Sequence, residues 1–279
     1  MSAAVAVAML VIGGSPVAAA STTTSTTGND ISWPQCGNAF PGGQAFGIVG
    51  VNGGLANKLN PCLGEYGGGP STSELYWAWG STGNSKLPKA ALYVNTADPG
   101  TGVADWPKNN TDPNGGSELP SPTNPNSDPY GACSGSDSQG CAWQYGWDRA
   151  VQDADWLVSA ATQVGVASTA STYRWWLDVE TANSWETGTS GLANNVADLQ
   201  GMVARFAGVG ASVGIYSTSY QWGQITGGSR AGNLNGLSDW IPGARKLSGA
   251  QSNCSLTGFT GTVMITQWFG HPYDGDWAC

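Results

Sequence analysis

The sequence predicts an α/β fold in one domain: a TIM-like barrel that has lost helices from its second half. Three observations lead there. From residue 29 onward, short apolar segments of strand length alternate with helical or loop stretches, the pattern that builds a sheet covered by helices. Eight such segments can be counted, the number that closes a parallel barrel. Helical periodicity stands between the earlier segments, and no clear helix separates the last three.

Taken in order, the first strand is expected at Asp30–Trp33 and the second at Phe46–Asn52. A helix over 72–80 follows, where Leu75, Trp77 and Trp79 fall near one another. The third strand is Ala90–Thr96. Residues 147–164 set Ala150, Ala154, Leu157, Val158 and Ala161 on one helical face. Arg174–Glu180 is the fourth strand, and 192–207 repeats the helical spacing with Leu192, Val196, Leu199, Val203 and Phe206. Ser212–Ser217, Asp239–Ile241 and Val263–Trp268 come next, with a last short strand near Asp274–Ala278.

The stretch 97–140 differs. It is rich in Pro, Asn, Gly, Ser and Asp and almost empty of large aliphatics. A loop of that length is either a functional lid or a surface excursion, and after a third barrel strand it would reach the C-terminal rim. At the other end, residues 1–20 form an Ala/Val-rich run closing on Val17-Ala18-Ala19-Ala20, which reads as a secretory signal peptide. No Lys or Arg precedes the run, so either the true start lies upstream or the signal is atypical. The run is too short to span a bilayer and is broken by Gly13, Gly14 and Pro16. Residues 21–28 read as a Ser/Thr-rich tether, and 29–279 as the barrel. No later run approaches membrane length, so no membrane partner is expected after signal cleavage, and the mature chain is expected to be a monomer.

Charged residues make up 10% of the chain, where about 25% is usual. With 42 glycines and 14 tryptophans, that composition excludes disorder and fits a loop-rich secreted enzyme or a carbohydrate-handling protein. A formal charge of −9 excludes nucleic acid as a partner and adhesion to an anionic envelope through charge. Six cysteines form an even set suited to an oxidising compartment. Among the fifteen or so connectivities open to six cysteines, the pairing read here is Cys133–Cys141 around a Gly/Ser loop, Cys36–Cys62, and Cys254–Cys279 at the C-terminus. No C-x2-C spacing occurs and His271 is the single histidine, so neither a metal nor another cofactor is expected.

The chemistry concentrates in Trp175-Trp176-Leu177-Asp178-Val179-Glu180-Thr181. In a strand, residues i and i+2 share a face, so Asp178 and Glu180 project together with Trp176, while Leu177 and Val179 face the other way. Two acids on one face of an apolar strand need a polar cleft, because burying an unpaired charge is costly. The plain alternative is a strand end at the surface, with both acids solvated or paired to Arg174.

Several segments resemble one family in its own order. Asn29-Asp30-Ile31-Ser32-Trp33-Pro34-Gln35 resembles the first strand of the glycoside hydrolase family 25 lysozymes. Trp176-Leu177-Asp178-Val179-Glu180 resembles their Asp-x-Glu strand, and Gly214-Ile215-Tyr216-Ser217-Thr218 with Tyr220-Gln221-Trp222 their fifth strand and turn. Thr266-Gln267-Trp268 followed by Asp274-Gly275-Asp276 resembles their closing strand and final aspartate. The resemblance implies an incomplete (β/α)5(β)3 barrel and a bacterial, extracellular glycosidase that cleaves the β-1,4 bonds of peptidoglycan or a related amino-sugar polymer.

By the same resemblance Glu180 is the proton donor, Asp178 assists electrostatically or orients the substrate acetamido group, and Asp30 sits across the cleft. Asp274 matches the final aspartate, with Asp276 nearly as good. Such chemistry needs one protonated carboxyl and one that stabilises an oxocarbenium-like transition state. Tyr93, Tyr216, Trp240, Trp268 and Trp185, with Trp222, offer flat faces for sugar rings, against the plain alternative of core packing. Strand two ends Gly50-Val51-Asn52-Gly53-Gly54, where many members of the family carry Lys and Glu. The competing reading is a catalytically silent barrel that binds glycan or serves as an envelope structural protein. A Ser or Cys hydrolase has little to build on, with one histidine and no G-x-S-x-G elbow.

Overall fold

The computed structural model describes residues 26–84, 86–119 and 127–279. The expected signal peptide and most of the tether lie outside the described residues. Eight strands close into a barrel in sequence order: β1 Thr27–Ile31, β2 Gly47–Gly50, β3 Ala90–Asn95, β4 Arg174–Asp178, β5 Ser212–Tyr216, β6 Ser238–Ala244, β7 Val263–Trp268 and β8 Asp274–Ala278. Thr27 and Gly28 belong to β1, so the barrel begins inside the segment read as tether.

Neighbours from β1 through β7 are parallel, but β8 runs antiparallel to both β7 and β1. A fully parallel closure was expected. The reason lies in residues 269–273: a parallel return needs a crossover of about a dozen residues, and so short a link permits only a hairpin-like reversal. The reversal matters for the site, because it sets Asp274 directly opposite Asp30.

Five α-helices follow β2 to β6 among the described residues: α1 Glu74–Trp79, α2 Gln139–Val164, α3 Gly188–Gly208, α4 Ser219–Thr226 and α5 Leu247–Asn253. The helix-free connections are those after β1 and β7. The expectation that no helix separates the last three strands is therefore corrected: α5 stands between β6 and β7. Its sequence hides it, since Ala250 is its single buried residue and Gly249 interrupts it.

Strand alternation divides the barrel into two apolar layers. Leu92, Val94, Trp175, Leu177, Val179, Val213 and Ile215 point outward and form one cluster with the helices. Ala91, Tyr93, Trp176, Trp240, Ile265 and Ala278 fill the interior. Glycine permits the tightest approach: a Cβ at Gly214 would strike the Trp176 ring, so the bare β5 backbone is what lets that indole cross the barrel.

Helix α2 starts eight residues before the 147–164 stretch read from periodicity. Its added turns carry Gly140 and Gly146, which weaken the helical signal. They serve packing instead. A Cβ at Gly146 would meet the Asp198 carbonyl of α3, and one at Gly201 the Trp143 carbonyl of α2, so the two helices touch backbone to backbone.

The described part of 97–140 packs on these helices and, through the Asp98 amide bonded to the Ser184 carbonyl at 3.0 Å, on the loop after β4; none of it lines the cavity at the barrel mouth. Trp106 stacks on Tyr145 at 5.5 Å, Trp147 Nε1 donates to Asp112 at 2.6 Å, and the Cys133 amide donates to Asn110 at 2.6 Å. Its last two residues are already α2. The disulfides are Cys36–Cys62, Cys133–Cys141 and Cys254–Cys279, the pairing read from the sequence.

Candidate active site

Strand β4 carries Trp176 and Asp178 into the barrel, and Glu180 follows just beyond its last residue. Strand β1 supplies Asp30, with Ser32 after its end, and β7 supplies Gln267. Asp30, Ser32, Asp178, Glu180 and Gln267, with Tyr93 of β3, Tyr216 of β5 and Trp240 of β6, line a cavity of about 320 Å³, its open mouth included, at the C-terminal ends of the parallel strands. Asp178 is buried with 7% of its surface exposed, which rules out the solvated strand end. Arg174 does not pair with it; its guanidinium lies over the Trp176 ring at 5.6 Å.

The acids are held by neutral donors. Gln267 Nε2 donates to one oxygen of Asp30 at 2.9 Å, and the Ser32 hydroxyl donates to the other at 2.8 Å. The same hydroxyl lies 3.2 Å from Asp274 and has a single proton, so it serves the two carboxylates in turn. Gln267 is oriented by Tyr216, whose hydroxyl donates to its Oε1 at 3.2 Å. No cation enters this arrangement: the one ion pair among the described residues, Arg149–Asp105, lies outside the barrel.

Burial without a counter-ion pushes these carboxyls upward. Asp30 rises to about 6, chiefly through burial, with the Asp274 charge adding and the Gln267 bond opposing. Asp178 is pushed well above the carboxylate range by burial and then by the charges of Glu180 and Asp30, and its Oδ1 is buried without a hydrogen-bond partner. Asp276 is likewise raised by burial and by Asp30, and its Oδ1 accepts from Trp240 Nε1 at 2.9 Å.

Of the residues expected from sequence, Asp30, Asp178, Glu180, Tyr93, Tyr216 and Trp240 meet at the cavity. Asp274 stands at the rim, bonded to Ser32 and to the Gly270 amide at 2.8 Å, whereas Asp276 is fully buried against Asp30 and Trp240. Two expected sugar platforms do not line the cavity. Trp268 covers Gly275 of β8. Trp185 packs on the outer core, where its Nε1 donates to the Glu180 carbonyl at 2.8 Å and fixes the loop that carries the acid. Trp222 is buried against Phe259. Ser32 and Gln267 were not singled out beforehand, although Gln267 alternates inward with Ile265 and could have been found by the rule that exposed Asp178.

A larger cavity, about 800 Å³, lies between the insertion and α3, lined by Tyr130, Trp143, Gln200 and Asn233 among others. Its polar groups satisfy one another: Tyr130 donates to Gln200, Gln200 to the Ala231 carbonyl and Asn233 to the Gln200 carbonyl. No charged group converges there, so size alone does not mark the chemistry. Among the described residues no cluster of three or more His, Cys, Asp or Glu is arranged to hold a metal ion.

The model of the family described as Lysozyme-like protein 1 matches residues 151–240, from within α2 to β6, a span that includes Asp178 and Glu180. The chain is similar to the muramidase of Trichobolus zukalii, at 17% identity with a TM-score of 0.45, covering 91% of this chain and 94% of that one. The muramidase of Acremonium alcalophilum gives 15% and 0.46 with the same coverage. The bacterial lysozyme of Streptomyces coelicolor gives 14% and 0.43, covering 92% and 93%. No curated protein matches the chain. The lysozyme resemblance of the fourth and fifth strands thus recurs in the family match.

Proposed function

We propose that the chain is a secreted glycoside hydrolase that cleaves β-1,4 bonds of peptidoglycan or a closely related amino-sugar polymer. The observation that carries this reading is the convergence of Asp30, Asp178 and Glu180 on one open cavity with no cation to neutralise them. Structural carboxylates are paired or tied down, whereas acids crowded in a dry cleft are poised to hold and move protons. The lysozyme-like match over the same strand supports the substrate class.

In this reading Glu180, the more exposed of the β4 pair, gives its proton to the leaving sugar oxygen. Asp178, pushed toward its neutral form by burial, lines the same cavity and orients the substrate acetamido group. Asp30, held by Gln267 and Ser32, supplies negative charge across the cleft as the ring becomes oxocarbenium-like. Tyr93, Tyr216 and Trp240 form an aromatic floor that keeps bulk solvent back. A water entering at the open mouth completes the hydrolysis by bonding the anomeric carbon and returning a proton to the carboxylate side of the cleft. The three disulfides accord with an extracellular site of action.

The test is release of reducing ends from purified peptidoglycan by the oxidised protein, with Glu180→Gln in parallel. Release that falls at least about a hundredfold in the variant is expected. Absence of release by the wild type from several walls between acid and neutral pH, with binding to them retained, would replace the enzyme by a silent glycan-binding barrel.

A further inference from the structure

The three most exposed aromatic side chains of the described residues are Tyr220 at 73%, Phe269 at 64% and Trp33 at 60%. All three stand at one end of the barrel. Trp33 follows β1, Tyr220 opens α4 just after β5, and Phe269 follows β7, so each projects from the rim that carries the acids. None has a ring contact or a side-chain hydrogen bond. Folding does not use them. A single exposed aromatic needs no explanation, but three on one rim around a set of acids form a contact surface.

Their placement relative to the acids is specific. Ser32, next to Trp33, and Gly270, next to Phe269, both bond to Asp274, so the two rings bracket that rim carboxylate. Tyr220 lies on the opposite wall, since β1 and β5 are four places apart in the ring of eight strands. It is tied to the Glu180 loop through its neighbour Gln221, which accepts from the Thr181 amide at 2.7 Å. The acid cavity is a small cleft open at the barrel mouth, whereas the bond to be cut joins two sugars of a chain. A polymer must therefore leave the cavity on both sides, and aromatic faces stand at both exits.

We propose that Trp33 and Phe269 on one side and Tyr220 on the other are stacking platforms for successive sugars of a β-1,4-linked amino-sugar chain running across the barrel mouth. This rests on the glycan reading of the acid site and adds to it that the preferred ligand is a long chain rather than a short oligomer. The axial C–H face of a pyranose is apolar. Laid on an aromatic ring it leaves water while the hydroxyls at its edge stay hydrated, and the contact needs no charge, which suits a rim whose aromatics have no basic neighbour in contact.

The experiment uses the full chain carrying Glu180→Gln, so that binding is read without turnover. The probes are N-acetylglucosamine oligomers of increasing length and glycan strands stripped of peptide. Affinity is expected to climb with length. Trp33→Ala, Phe269→Ala and Tyr220→Ala each weaken strand binding by roughly three- to tenfold, and the loss grows with chain length. Tyr76→Ala, on the exposed side of α1, is the control and binds as the parent does. Because all these residues are exposed, unchanged melting temperatures are expected and separate lost contacts from lost structure. A parent that binds strands, with the triple rim variant binding equally well, overturns the proposal and leaves the acid site standing. A parent that binds no glycan of any length overturns the glycan reading and this proposal together.

Discussion

The barrel mouth and the space beneath the 97–140 insertion both bury carboxylates, and only the mouth is built for chemistry. Under the insertion, Asp112 accepts from Trp147 and from the Asn114 amide, and Asp128 accepts from Asn110 and from the Tyr130 amide. Burial raises Asp128 to about 6, yet both its oxygens are engaged. A buried oxygen without a partner occurs in both regions, at Asp178 and at Asp98, but at the mouth three acids line one cavity. A raised pKa is therefore common to both regions and marks neither. Convergence on an accessible cavity is what separates them, because a group already spent on holding the fold cannot also serve a ligand.

The sharpest way to break this contrast is to neutralise one acid in each place. Asp178→Asn is expected to lower kcat by about 10²–10³-fold, with stability held or raised because a strained buried acid is gone. Asp112→Asn is expected to leave kcat on peptidoglycan intact and to cost about 1–2 kcal/mol of stability through the weakened Trp147 bond. Parallel turnover assays and urea melts decide. Equal loss of turnover in both would mean that the insertion acids take part in the reaction.

How much of this could be seen in the sequence also divides along the two regions. Period-two alternation made the mouth legible: Asp178 and Glu180 had to share a face, and Leu177 and Val179 did pack outward. Strand β7 and the last strand fell where the pattern put them. The insertion was not legible, because it packs through single aromatics, Asx turns and one disulfide, none of which has a period. Helix α4 was missed for similar reasons; Gly223 and two β-branched residues blur its spacing, although Thr218 accepts from the Gln221 amide as an N-cap would. The antiparallel turn of β8 depends on the length of a loop, not on any residue within the strand.

The disulfides offer the next largest contrast. Cys133–Cys141 closes a loop over 8 residues beside the insertion, and Cys254–Cys279 spans 25 and pins the end of β8. Loop-closure entropy assigns about 2.5 kcal/mol to the first and about 3.5 kcal/mol to the second. Replacing the first pair by serine is expected to lower the denaturation midpoint while turnover survives. Replacing the second should lower both, since Asp274 and Asp276 ride on β8. Turnover unaffected by loss of the second pair would mean that β8 does not position the acids.

A smaller effect comes from pH. Asp30 titrates near 6 against 3.8 for the ordinary group, and Asp98, under the insertion, near 7 for the same chief reason of burial. Between the unfolded and folded values, the native state still holds the proton that the unfolded chain has released. Native protons exceed unfolded ones, so stability falls as pH rises through that window, by on the order of 3 kcal/mol for Asp30 and 4 kcal/mol for Asp98. The protein should be more stable near pH 4 than near pH 7. Asp30→Asn should flatten the curve below about pH 6 and Asp98→Asn should flatten it further, up to about 7. A stability that rises between pH 4 and 7 would contradict the raised values in both regions.

The finest distinction lies within the mouth, between two replacements of Asp276. This fully buried residue faces Asp30, and a hydrogen bond given by its carboxyl would draw the Asp30 value down against the effect of burial. A carboxyl can give that bond only while it keeps its own proton, which its burial favours. Asn offers an amide N–H in the same place; Leu offers nothing. Asp276→Asn should therefore leave the limb of the activity profile near pH 6 unmoved, whereas Asp276→Leu should shift it upward by up to about one unit, roughly 1 kcal/mol of lost stabilisation of the Asp30 carboxylate. The limb should vanish in Asp30→Asn, which assigns it. A merely structural role for Asp276 would lower turnover in the Leu variant at every pH without moving the limb, and would make its proton incidental to the site.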